Sequence, residues 1–109
     1  MGRRKLIQEY YADLNNLVLL LNSLTNSYRL LIGGADELNK IAIAKKKDVK
    51  EAIERAEEVG EIIDRIIIVL DSAACTYTDY CNVKAEVIKC KLEAKHILTE
   101  IDEELKLED

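Results

Sequence analysis

The chain predicts an all-α fold: an antiparallel bundle of three long helices with a short linking helix, completed by oligomerisation. Three observations point there. The 109 residues contain no proline, phenylalanine or tryptophan and only four glycines, while charged residues make up 34% of the chain, a composition of helix formers without the punctuation that sheets and tight turns need. Apolar residues recur at steps of three and four along nearly the whole length, the period of a helix stripe. Aliphatic residues also fall outside those stripes, more of them than one small bundle can hide. A chain this long supports one domain with one core.

The first helix is expected over residues 4–32. Ile7, Tyr10, Leu14, Leu17, Leu21, Leu24, Tyr28 and Leu31 form its stripe. Val18, Leu19, Leu20 and Leu30 lie off it, and between Leu14 and Ile32 the polar positions are Asn, Ser and Thr, with Arg29 the only charge. A helix with a solvated back usually carries Lys and Glu there, so this back is expected to be covered, by the chain itself or by a subunit interface.

Gly33-Gly34 is expected to end the first helix in the left-handed manner and to reverse the chain, with Asp36 capping the next helix. Residues 35–45 then form a short linking helix, and Asp48 with Glu51 three residues on gives an acidic capping-box start for the central helix. The alternative is one helix of about forty residues through Asp48, roughly 60 Å long.

The central helix is expected over residues 48–74, with Val49, Ala52, Ala56, Val59, Ile63, Ile66, Leu70 and Ala73 as its stripe. Ala52, Ala56 and Gly60 would let a neighbouring backbone approach closely. A helical glycine costs about 1 kcal/mol against alanine, so packing at Gly60 is the natural reason for it. Ile66 to Leu70 is apolar nearly all round. The turn at Ser72 to Asp79 lacks glycine and proline, and a helical continuation through it competes with a hairpin. The last helix spans residues 77–107 through Tyr80, Val83, Val87, Cys90, Ala94, Ile97, Ile101 and Leu105.

Charge supports an up, down, up order. Lys45, Lys46, Lys47 and Lys50 then fall beside Glu100, Asp102, Glu103 and Glu104, and Lys84, Lys89 and Lys91 beside Glu57, Glu58, Glu61 and Asp64. Each exposed pair contributes only ~0.2–1 kcal/mol, enough to choose an orientation but not to hold a fold.

The chemistry available is sparse. Glu93 and His96 form the Glu-x-x-His half of a di-iron bundle site, yet His96 is the single histidine, so one chain cannot complete it. Cys81 and Cys90 stand nine residues apart on opposite faces of one helix and cannot chelate together; a Cys75–Cys81 disulfide across the turn is conceivable on spacing alone. No nucleophile, base and acid can be drawn together around one histidine, and Gly33-Gly34 is not a phosphate loop. The expectation is a non-enzymatic protein with no catalytic residues, cofactor or metal.

The formal charge of −5 disfavours nucleic acid as the main partner, although Lys45 to Lys50 form a local basic patch. The longest apolar runs have five residues, too short to span a bilayer. The basic opening lacks a signal peptide's apolar stretch, Leu6 stands where a myristoylation motif needs Ser or Thr, and three unpatterned cysteines suit a reducing compartment, so a cytoplasmic location is expected. Enrichment in Lys, Glu and Ile with a single Gln leans towards a thermophilic composition, and six Asn lean against it.

The expected function is a helical scaffold that self-associates, a dimer first, through apolar faces; the alternatives are a monomeric adaptor docking another protein's helix and, behind it, a nucleic-acid-associated accessory protein using Lys45 to Lys50. The interface is expected among Tyr10, Tyr11, Val18, Leu19, Leu20, Ile67, Ile68, Val69, Tyr77 and Tyr80.

Overall fold

In the computed structural model, which describes residues 2–73 and 78–107, the chain forms three α-helices: α1 (Gly2–Lys40), α2 (Lys46–Ala73) and α3 (Thr78–Leu107). No strand occurs among the described residues. The molecule is a rod of 65 × 19 × 16 Å, its length set by α1, whose 39 residues span about 58 Å at 1.5 Å per residue. α1 packs along both other helices, whereas α2 and α3 approach each other at only a few points.

Each helix carries a buried line repeating every seven residues: Leu14, Leu21, Tyr28 and Ala35 on α1, Val49, Ala56, Ile63 and Leu70 on α2, and Tyr80, Val87, Ala94 and Ile101 on α3. Such a repeat is the seam of left-handed helix packing. On α1 the second buried line is Val18, Thr25 and Ile32, while Leu17, Leu24 and Leu31 are half-buried. Because α1 faces two helices, its buried sector is wide enough to take in Val18. Thr25 is sealed in the core at 2% exposure, and its hydroxyl donates to the Leu21 carbonyl at 2.8 Å, so no polar group is left bare there.

The main core runs from Leu14, Leu70 and Tyr80 to Cys90 and Ala94. A second cluster, Ala35, Val49, Ile53, Ile101 and Leu105, closes the other end. That cluster corrects the expected break at Gly33-Gly34 and the separate linking helix over residues 35–45. No glycine has a positive φ, and α1 continues straight to Lys40. Continuing the helix brings Ala35 and Leu38 onto α2 and α3, burial that offsets the roughly 1 kcal/mol each glycine costs in a helix.

The break falls instead at residues 41–45. Ile41 N–H donates to the Leu38 carbonyl and Ala44 N–H to that of Ile41, both at 3.1 Å. The Lys45 carbonyl then accepts from Asp48 N–H at 3.0 Å and Val49 N–H at 3.2 Å. Lys45 is therefore the N-cap, and Asp48, expected in that role, sits in the first turn, where its carboxylate suits the positive end of the helix.

α3 returns antiparallel to α2. Lys84 reaches Asp71 at 2.7 Å and Lys91 pairs with Asp64, so successive levels of α3 meet descending levels of α2. α2 and α3 thus lie side by side as a hairpin rather than end to end as one helix; residues 74–77, within the expected turn, lie outside the described residues. The start of α1 is tied to the end of α2 by the Tyr10 hydroxyl, which donates to the Ala73 carbonyl at 2.9 Å, one of the C-terminal carbonyls that a helix leaves unsatisfied. No described helix is long and apolar enough to cross a membrane.

Candidate interaction surface

Because α2 and α3 both lean on α1 without closing on each other, a groove of about 630 Å³ opens between them. Tyr28 of α1 forms its floor; Ile67, Val87, Ile88, Leu92 and Leu98 supply apolar walls. Ile88 and Leu92 are 52% and 66% exposed. They sit four residues apart on α3, one beside the other on the groove side of its buried line.

Tyr28 reaches the floor because Gly60 leaves room for its ring: a Cβ at that position would stand 3.2 Å from the Tyr28 Cε2. The glycine thus accommodates a side chain rather than the close backbone expected from Ala52, Ala56 and Gly60. Tyr28 is 6% exposed, and its hydroxyl makes no hydrogen bond to a described residue. Burial, and then the nearby Cys90, Asp64 and Glu57, push its phenol up from the ordinary value, so it stays a neutral donor.

The groove's rims carry opposite charge. Glu57, Asp64 and Asp71 edge the α2 side; Lys84, Lys91 and Lys95 edge the α3 side. At the far end Lys46 and Lys50 on α2 stand beside Asp102 on α3, with Lys106 one helical turn further on. Near the turn, Asp71 accepts from both Lys84 and the Tyr80 hydroxyl, and Lys84 stands 5.9 Å above the Tyr80 ring. The Lys84 ammonium first, and the Tyr80 hydroxyl second, hold the Asp71 carboxyl below its ordinary range.

A second uncovered surface is the back of α1. Leu19 and Leu30, 66% and 78% exposed, lie three helical turns apart there. A Cβ added at Gly33 or Gly34 would meet nothing within 4 Å. Arg29, the single charge in the Leu14–Ile32 span, is turned towards α3 and pairs with Glu86 at 3.0 Å.

The residues expected at an interface fall into three groups. Leu19, Leu20, Ile68 and Val69 are exposed, and Tyr10 is half-exposed. Val18 and Tyr80 are spent in the core, and Ile67 is partly buried against it while lining the groove. The Tyr11 side chain and Tyr77 lie outside the described residues, as does Cys75 and with it the Cys75–Cys81 pairing. Sequence reasoning missed Ile88 and Leu92, although it set Lys84 and Lys91 beside the Glu57 to Asp64 stretch. The signal was present, since Ile88 and Leu92 are an i, i+4 aliphatic pair outside the α3 stripe, as Leu19 and Leu30 are outside that of α1.

His96 is exposed, with Nε2 3.1 Å from the Glu100 Oε1 on its own helix. Among the described residues no group of three or more His, Cys, Asp or Glu stands together in a way that could hold a metal ion. Burial pushes the Cys90 thiol up, with Arg29 partly opposing. Compared with protein-family models, with curated proteins and with solved structures, the chain has no match.

Proposed function

We propose that this protein is a non-enzymatic helical scaffold that works by self-association through its apolar helix faces, inside the cell. One observation carries the reading: large aliphatic residues stay uncovered along the rod, Leu19 and Leu30 on α1, Ile68 and Val69 on α2, Ile88 and Leu92 on α3, each more than half exposed. Isolated exposed aliphatics are ordinary, but rows on all three helices of a chain this small are not. Burying a leucine or isoleucine contributes roughly 1.5–3 kcal/mol, so a few of them shared between copies rival the stability of the lone domain. The scarcity of convergent chemical groups supports a role without catalysis. The three cysteines, with no disulfide-framework spacing, support the intracellular location.

Sedimentation velocity at micromolar concentration tests this. The expected result is a dimer that dissociates on dilution and is weakened by whichever of Leu19→Glu and Ile68→Glu falls in the interface. A stable monomer, unchanged by either substitution, would reject self-association and favour a monomeric adaptor, for which the open α2–α3 groove offers a seat for a partner's helix.

A further inference from the structure

Resting on the self-association reading, we infer that the α2–α3 groove is where two copies of this chain meet, around a two-fold axis parallel to the helices, so that each α2 lies over the second copy's α3. Four helices, two from each copy, then enclose the groove's apolar walls, with one α1 on each outer side. Ile88 and Leu92, the most exposed aliphatics of the groove walls, become the centre of the seam.

The occupant is identified by charge. Taken from the turn end, the two rims face one another as Asp71 with Lys84, Asp64 with Lys91, Glu57 with Lys95, and Lys50 with Asp102. Signs are opposite at these four levels and reverse together at the far end, beyond which Lys106 stands beside Lys46 as a like charge. A two-fold axis along the helices keeps each level and exchanges the rims, so every acidic group comes over a lysine of the second copy. The surface is thereby complementary to itself. A two-fold axis across the helices, placed at the middle of the groove, is less favourable, because half of its levels bring like charges together. It lays α2 on α2 and α3 on α3, bringing Asp64 against Glu57 and Lys91 against Lys95 at the centre, with Asp71 against Lys50 and Lys84 against Asp102 only at the ends. Like charges so placed oppose association.

The floor also carries a polar tip. Tyr28 is held there by the space at Gly60, nine-tenths buried, with a hydroxyl that no described residue uses. No buried side-chain oxygen or nitrogen among the described residues lacks a partner, so this hydroxyl is reached by solvent at the mouth of the groove, where a seam would enclose it. The back of α1 offers apolar area too, but no charge pattern that would choose an orientation.

Two measurements on the full chain test the inference. The first is sedimentation of three proteins at micromolar concentration: the natural sequence, the Ile88→Glu/Leu92→Glu variant and the Leu19→Glu/Leu30→Glu variant. All four positions are more than half exposed, so the folded chain tolerates glutamate there, and unchanged circular dichroism checks it. The expected result is a dimer for the natural chain and the α1 variant and a monomer for the groove variant, with at least a tenfold rise in its dissociation constant. A dimer abolished only by the α1 pair would overturn the groove while leaving self-association standing. A natural chain that is monomeric would overturn both.

The second measurement fixes orientation. With the three native cysteines replaced by alanine, a chain carrying Ile68→Cys is mixed with one carrying Ile88→Cys under mild oxidation. Ile68 and Ile88 stand at nearly one level, between the Asp64–Lys91 and Asp71–Lys84 pairs. Cross-links joining the two different chains are expected to dominate. Predominant links between identical chains would place α2 over α2 and overturn the axis.

Discussion

Three glycines in two helices do different work, and alanine separates them. Gly33 and Gly34 carry no neighbour in the path of a Cβ, so Gly33→Ala and Gly34→Ala are each expected to stabilise the fold by up to about 1 kcal/mol. At Gly60 the same gain in helix propensity meets the Tyr28 ring at 3.2 Å, inside close-packed surroundings that yield little. Gly60→Ala is therefore expected to lower the urea midpoint while the other two raise it. Asp71 makes a pH prediction. Its carboxyl is held below the ordinary 3.8 by Lys84 and then Tyr80, so its contribution to stability is complete above the unfolded value and is lost as pH falls through the folded one. The difference in urea midpoint between the natural chain and Asp71→Asn should be full at about pH 7 and shrink as the pH falls below the ordinary carboxylate value; a difference that does not shrink in acid would mean the ion pair is not its source. In reduced protein, a thiol reagent should modify exposed Cys81 well before Cys90, whose thiol is buried and pushed up, away from the reactive thiolate.

On the scale of the helices, the buried lines set the energies. Leu21 on α1 and Ile63 on α2 are fully enclosed, so Leu21→Ala or Ile63→Ala should each cost about 2–5 kcal/mol, against about 0.5 kcal/mol or less for Leu30→Ala on the open back of α1. Chemical unfolding of the three variants checks the contrast. These lines were largely legible in the sequence: Leu14, Leu21, Tyr28, Val49, Ala56, Ile63, Leu70, Val87 and Ala94 fall on the expected stripes and are buried. The second line of α1 was not. Three-four spacing fits Leu17, Leu24 and Leu31, but a helix touching two neighbours buries Val18, Thr25 and Ile32 instead, and periodicity alone does not say how many partners a helix has. The glycine pair misled for a related reason. Local rules read Gly33-Gly34 as a stop, and only the distant residues Val49, Ile53, Ile101 and Leu105 show why the helix goes on. The groove was illegible because it arises where two helices fail to meet.

For the whole molecule, the decisive feature is an arrangement in which α1 serves as spine and α2 and α3 leave a face unfinished. A chain of 12.4 kDa in this form has a large surface for its volume and little to spare in its core. If copies cover that face, stability belongs to the assembly, and the thermal midpoint should rise with protein concentration, whereas a monomer's would not. The charge pattern across the groove further predicts that salt weakens the association at its exposed rims without abolishing the apolar seam. Sedimentation equilibrium across the micromolar range addresses the central claim most directly. The account predicts a mass approaching twice 12.4 kDa at the upper end and falling towards 12.4 kDa on dilution. A mass fixed at 12.4 kDa throughout would contradict it.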